Sequence, residues 1–203
     1  FRRVLFRSLL TGSKFKARLA AYRGYNNGFV HNEYLDDHTT NERLETMGRI
    51  KLIWNVQPEL KFKTTLLSVK LDNGYDTWSP DNAAFTTYSD NPGKDSQTLN
   101  AAIVKAEYAV TPRTDIYSIT SLSKADMIYS YDSDWGNDDF WANEPYSFDP
   151  EVEGWRYDFF DKVARLRNTR TQELRVVHAS KNESVHLIAG AYYKDLTEED
   201  DAV

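Results

Sequence analysis

TRTQELRVVHASKNESVHLIAGAYYKD, residues Thr169–Asp195, is the stretch whose reading decides the fold. In its first arm Thr169, Thr171, Glu173 and Arg175 occupy one alternate row, and Leu174 and Val176 the other. A period of two with charge on one side and aliphatics on the other is the pattern of a half-buried β-strand. Ala179–Ser184 is polar and reads as a turn, and Val185–Asp195 returns as a second strand that contains the pair Tyr192-Tyr193. A hairpin of two long strands is therefore the unit from which the chain is built.

Working back from it, the same rhythm recurs. Phe15, Ala17, Leu19 and Ala21 alternate with Lys14, Lys16 and Arg18. Leu44, Ile50, Leu52, Trp54 and Val56 alternate with Glu45, Arg49, Lys51 and Asn55. Gln57–Glu59 is a short turn with Pro58 where a ladder donor is dispensable. Leu60–Asp72 returns, but its aliphatics change rows, from Leu60, Phe62 and Leu66 to Leu67, Val69 and Leu71. Either a β-bulge or a change of environment explains that switch. Gln97–Val110 and Asp115–Tyr131 form a further pair around the turn Thr111–Thr114.

Between these pairs lie long polar stretches: Arg23–Glu42, Asn73–Ser96, and the acidic, aromatic Asp132–Tyr157. Thr197–Ala202, mostly acidic, reads as the start of another. Connections thus alternate long and short. Loops of about twenty residues are uncommon in compact soluble domains, whereas outer-membrane barrels combine short turns on one side with long loops on the other. The expected fold is all-β: an antiparallel meander of about seven long strands. Its aliphatic rows face lipid and its charged rows (Arg49/Lys51, Lys105/Glu107, Arg165/Arg167/Glu173/Arg175) face water. Trp54 and Tyr108 fall at the height of an aromatic girdle. Arg170 and Gln172, on the lipid row, fit only at the outer headgroup level.

Composition narrows the classes. The 203 residues are 40% hydrophobic and 14% aromatic, with a mean hydropathy of −0.65, too aromatic for a disordered chain. No apolar run is long enough for a spanning helix, which leaves strand-built membrane proteins open. A net charge of −6 argues against a nucleic-acid partner. Without cysteine there is neither a disulfide framework nor a thiolate metal site. Arg2–Ser8 resembles one reading frame of a common sequencing-adapter oligonucleotide, so residues 1–8 are set aside as non-native and 9–203 are assigned to the domain.

A family resemblance follows from these segments taken together. "TQELRVV" followed by "LIAGAYYKD" resembles the strand–turn–strand signature of TonB-dependent outer-membrane receptors. "AYRGYNNGFVHN" and "MGRIKLIWNVQPELKFKTTL" resemble earlier barrel strands. "LDNGYDTWSPDN", "TYSDNPGKDSQ" and "YDSDWGNDDFW" resemble outer loops, all in the family's order. The resemblance implies roughly the third to ninth strands of a 22-stranded barrel, with short periplasmic turns, long extracellular loops and a plug domain upstream of Phe1. It further implies a cell outer-membrane location in a Gram-negative bacterium and active uptake of a scarce small-molecule ligand. An iron–siderophore complex, a cobamide or an oligosaccharide fits that description. The partners implied are outer-membrane lipid and, through the plug, the TonB–ExbB–ExbD system; no cofactor and no enzymatic activity are expected. Rival readings are a porin-like channel and a soluble all-β carbohydrate-binding or glycosidase domain.

Few residues stand out as a site. Trp135, Trp141 and Trp155 lie in the third long loop with Phe140, Tyr146, Phe148 and Tyr157. They serve either as a ligand-stacking platform or as the loop's own small core, which a loop of this length needs. Asp132, Asp134, Asp138 and Asp139 depart from the calcium-loop spacing and read as a solvated acidic loop. His31, His38, His178 and His186 have no metal-ligand spacing, so no metal is assigned. Glu151/Glu153 carries no glycosidase signal, because adjacency in sequence says nothing of separation across a sugar.

Overall fold

The computed structural model describes residues 10–11 and 14–202; the segment set aside, residues 1–8, lies outside them. In chain order the elements are β1 (Leu10–Thr11), β2 (Phe15–Asn26), β3 (His31–Asn32), β4 (Arg43–Gln57), β5 (Leu60–Tyr75), β6 (Thr86–Thr87), β7 (Gly93–Thr111), β8 (Thr114–Asp132), α1 (Asp138–Ala142), α2 (Pro150–Glu153), β9 (Phe160–Ala179) and β10 (His186–Ala202).

Seven of these strands are long, and they pair consecutively and antiparallel in one sheet of order β1-β2-β4-β5-β7-β8-β9-β10. β1 adds two residues at one edge, pairing Leu10 with Ala17. The sheet is open: β10 is the other edge, and it does not pair with β1 or β2. The meander expected from the alternating rows is therefore present, with short turns after β4, β7 and β9 and long connections after β2, β5 and β8.

Strand ends differ from the sequence reading. β2 runs through Gly24 to Asn26, where a loop from Arg23 was expected, and its pairing with β4 continues to Asn26↔Arg43. Thr197–Ala202, expected as loop, completes β10 down to Ala202↔Val163. The acids there are accommodated by cross-strand pairs: Arg165 meets Asp200 at 2.7 Å and Arg167 meets Glu198 at 2.5 Å. Opposite charges facing each other across a ladder favour strand over solvated loop.

The row switch in β5 is not a bulge. Register runs unbroken along β5–β7, and the irregularities fall beside the turns, at Asn55/Gln57 and Ala109/Thr111. What changes is the environment on the two faces. Near the turns, the face carrying Trp54 is apolar, with Leu52, Phe62, Val104 and Ile116. Further along the same strands that face becomes polar, with Ser68, Lys70, Asp72, Thr98 and Asp126. The opposite face does the reverse along β5 and is mixed in its neighbours, with Ile53, Ile103 and Ile119 toward the turns. Lys51, Lys63, Lys105 and Glu107 lie near the turns, and Leu67, Val69, Leu71, Leu99 and Ala125 lie beyond them. Val69 and Ala125 are buried there, while Leu19, Trp54, Leu66, Tyr108, Leu122 and Leu174 of the Trp54 face are exposed. Among the described residues, only Val30, Val69 and Ala125 are buried hydrophobics, so the sheet is a single layer without a two-sided core.

Some polar groups on these rows are paired in place. Glu107 takes Lys63 at 2.6 Å, Lys105 at 3.0 Å and Lys61 at 3.9 Å. Gln172, awkward on an apolar row, accepts from the Thr120 hydroxyl at 2.6 Å and donates to Ser118 Oγ at 3.0 Å. Its amide is therefore satisfied within the sheet rather than by solvent.

Candidate functional site

The three long connections fold together at one end of the sheet. β3 of the first and β6 of the second pair in parallel, His31 with Thr86 and Asn32 with Thr87. Asn32, fully buried, donates to Asp76 Oδ2 at 3.0 Å and to the Ser89 carbonyl at 2.8 Å, and Thr87 Oγ1 donates to the same Asp76 oxygen at 2.8 Å. Gly74 lets the first connection close onto β5. Its N–H donates to Glu42 O at 2.9 Å, and a Cβ there would lie 2.2 Å from the Thr40 carbonyl oxygen. The third connection joins through Asn91 to Asp158 at 2.9 Å and Asp90 N–H to Gly136 O at 3.2 Å.

Inside this cap lies a carboxylate cluster that the sequence reading treated as solvated. Asp132 and Asp134 are in fact buried, at 5% and 9% exposure. The cause is that their oxygens organise backbone: Asp132 Oδ1 accepts from the N–H groups of Asp134 and Trp135, both at 3.1 Å. Asp134 in turn accepts from Gly136 and Phe159 N–H. Asp132 Oδ2 has no hydrogen-bond partner. Burial, reinforced by the charges of Asp134 and Asp90, pushes the Asp132 carboxyl up to about 7. Asp90 is also raised, by burial first and then by Asp134 and Asp158. Asp138 instead pairs with Arg156 at 2.7 Å and accepts from Tyr157 N–H at 2.8 Å. Asp139 is exposed on α1. Among the described residues no group of three or more His, Asp or Glu is arranged to hold a metal ion.

The tryptophans divide. Trp141 stacks on Tyr157 at 4.8 Å and meets Tyr146 edge-on at 4.7 Å. Trp155 packs on Phe148 and Tyr157 at 4.7 and 4.8 Å. With Phe140 and Phe159 these rings form the core of the third connection. Trp135 stands apart, stacked on Trp78 at 5.8 Å and 25°. The two rings are 42% and 57% exposed. Trp135 holds a left-handed φ of 61°, a costly conformation for a bulky residue. Beneath the pair a void of about 10 Å³, room for one water, is lined by Asp76, Ser89 and Asp132 among others. Trp78 was not singled out from sequence. Its partner lies 57 positions away, and only the hydrogen-bonded cap brings them together.

His31 and His38 stack at 4.1 Å, and His178 shares a 2.8 Å hydrogen bond with Thr114. Glu151 and Glu153 project from α2 into solvent. The arrangement as a whole offers a flat aromatic surface over a buried acidic floor, suited to holding a ring-bearing ligand by stacking. Comparison with protein-family models, curated proteins and solved structures found no match to the chain.

Proposed function

We propose that the chain is part of the barrel wall of a TonB-dependent outer-membrane receptor, seven consecutive strands of a 22-stranded barrel. The exchange of apolar and polar character between the two faces, clearest halfway along β5 and β7, carries this reading. A strand wall that passes from lipid into water needs apolar residues outside only where lipid lies. β7 and β8, at 19 residues each, are about twice the 9–11 residues that cross a bilayer. The turn-side half then spans, and the outer half stands above the membrane beneath the loop cap. There the Trp78–Trp135 pair receives a scarce ring-bearing ligand such as a siderophore–iron complex, a cobamide or an oligosaccharide. Import is driven by the TonB–ExbB–ExbD system through a plug seated against the charged Lys51 face.

The test uses the full-length receptor with Trp54 as its sole tryptophan, and the matching protein with Trp135 alone, in vesicles of brominated phospholipid. Quenching of Trp54 and not of Trp135 is the expected result. Equal quenching of both, or recovery of the protein from the soluble periplasm without detergent, refutes the reading.

A further inference from the structure

Asp76, Asp132 and Asp134 are the only buried charged residues among the described ones, and all three lie at the cap end of the molecule. No lysine or arginine is buried with them. Arg156, the cation of the third connection, is spent on Asp138 and Glu151. Exposed charges on the sheet do without partners because water solvates them. A carboxylate out of water has no such relief, and buried charges are paired or bind metal.

Hydrogen bonds account for part of this set. Asp134 accepts from Gly136 and Phe159 N–H, Asp132 Oδ1 from Asp134 and Trp135 N–H, and Asp76 Oδ2 from Asn32 and Thr87. Two buried oxygens are left over, Asp132 Oδ2 and Ser89 Oγ, on residues 5% and 2% exposed. The Ser89 hydroxyl lies near enough to lower the Asp132 carboxyl, yet neither atom completes a hydrogen bond. Both residues, with Asp76, line the void of about 10 Å³ beneath Trp78 and Trp135. A water molecule would fill that space but bring no charge to it.

We infer that this void binds one hard divalent cation, Ca²⁺, between Asp132 Oδ2, Ser89 Oγ and the Asp76 carboxylate. The donor set is two carboxylates and a hydroxyl rather than three carboxylates, and it is all oxygen, which suits Ca²⁺ and no softer metal. Mg²⁺ keeps several of its waters, for which a space this small has no room. The ion neutralises the buried acids where no side chain does. Asp132 also holds the Trp135 N–H, and Asp76 ties the first two connections together, so the bound ion fixes the Trp78–Trp135 pair in place. That use in ligand capture rests on the receptor reading above, whereas the cation site itself needs only the cap.

The test titrates chelator-treated full-length protein with CaCl₂ and with MgCl₂ by calorimetry at pH 7, in two buffers of different ionisation enthalpy. Ca²⁺ should bind with a Kd of about 0.1–1 mM, the range of extracellular sites. Burial and the charges of Asp134 and Asp90 hold the Asp132 carboxyl at about 7, so binding should release about half a proton per ion. Asp76, Tyr75 and Tyr131 are the other titratable groups lining the void. Asp132→Asn keeps an oxygen but not the charge; it should weaken Ca²⁺ roughly tenfold or more and abolish the proton release. Ser89→Ala should weaken binding and keep the release, and Asp139→Asn, exposed on α1, should change neither. Near-UV circular dichroism checks that each variant is folded. No Ca²⁺ binding to the folded wild type, equal binding of Mg²⁺, or Ca²⁺ binding unmoved by Asp132→Asn overturns the site and leaves the void to water. Each of those outcomes leaves Trp54 quenching, and with it the receptor reading, untouched.

Discussion

Asn32 and Asp76 are 44 positions apart in the chain, yet their side chains meet at 3.0 Å with both residues buried. The pair ties the first long connection to the end of β5, and Thr87 adds the second connection to the same carboxylate oxygen. Truncating Asn32→Ala leaves that buried carboxylate short of a donor, which costs about 1–3 kcal/mol. Asn32→Asp places two carboxylates together and should cost more. Urea titration followed by Trp78 and Trp135 fluorescence reads the loss. Two variants as stable as the wild type would show that the cap does not depend on this contact.

Asp132 lies at the outer end of β8, beyond the apolar belt, and its carboxyl is pushed up to about 7 from the ordinary value of 3.8. A carboxyl raised in the folded state favours the fold while protonated. Its contribution is complete below about 4 and is lost as pH climbs through about 7. The cap should therefore loosen between those limits, exposing the Asp134 and Trp135 amides. Asp132→Asn keeps an oxygen for both N–H groups and has no charge to develop, so it should flatten the pH profile and hold the cap closed at neutral pH. Hydrogen exchange of those amides, corrected for intrinsic rate, measures it. A profile unchanged by the substitution would move the effect to another group.

How much was legible beforehand follows from the range of each interaction. Row membership is local, set by the pleat, so Leu52, Trp54, Val104 and Leu174 were placed on one face without coordinates. The end of β10 was misread because Glu198 and Asp200 look solvated until Arg167 and Arg165 stand across the ladder. Likewise Asp132 and Asp134 look like a surface acidic run until the backbone N–H groups they accept are known. Of the three tryptophans proposed from sequence, Trp141 and Trp155 lie in the aromatic core of the third connection. Trp135 stacks outside that cluster, and its partner Trp78 carried no local signal at all.

Gly74 sits where the Thr40 backbone crosses β5, and the missing side chain is what permits the approach. A Cβ 2.2 Å from a carbonyl oxygen is far inside contact distance, and main chain on both sides limits relief. Gly74→Ala should push residues 40–42 away, break the Gly74 N–H to Glu42 O bond and destabilise the cap by about 1–3 kcal/mol. Gly48→Ala, with open space around it, should change stability by less than about 0.5 kcal/mol. Comparable effects from the two would mean that the first connection does not rest on β5 in this way.

Val104 and Thr98 share β7 and the Trp54 face, three rows apart, and both are exposed. If water bathed the whole face, an arginine would be tolerated at either position. If lipid covers only the turn-side half, Val104→Arg buries a charge among Leu52, Thr64 and Thr120 in the middle of the belt, at a cost of about 2–4 kcal/mol. Thr98→Arg, beside Lys70 and Asp126 in the outer half, should stay within about 0.5 kcal/mol of the wild type. Urea unfolding of the full-length protein from phospholipid vesicles gives both values, and a gap of that size is the outcome expected if lipid meets only the turn-side half. A gap near zero would place the whole face in water.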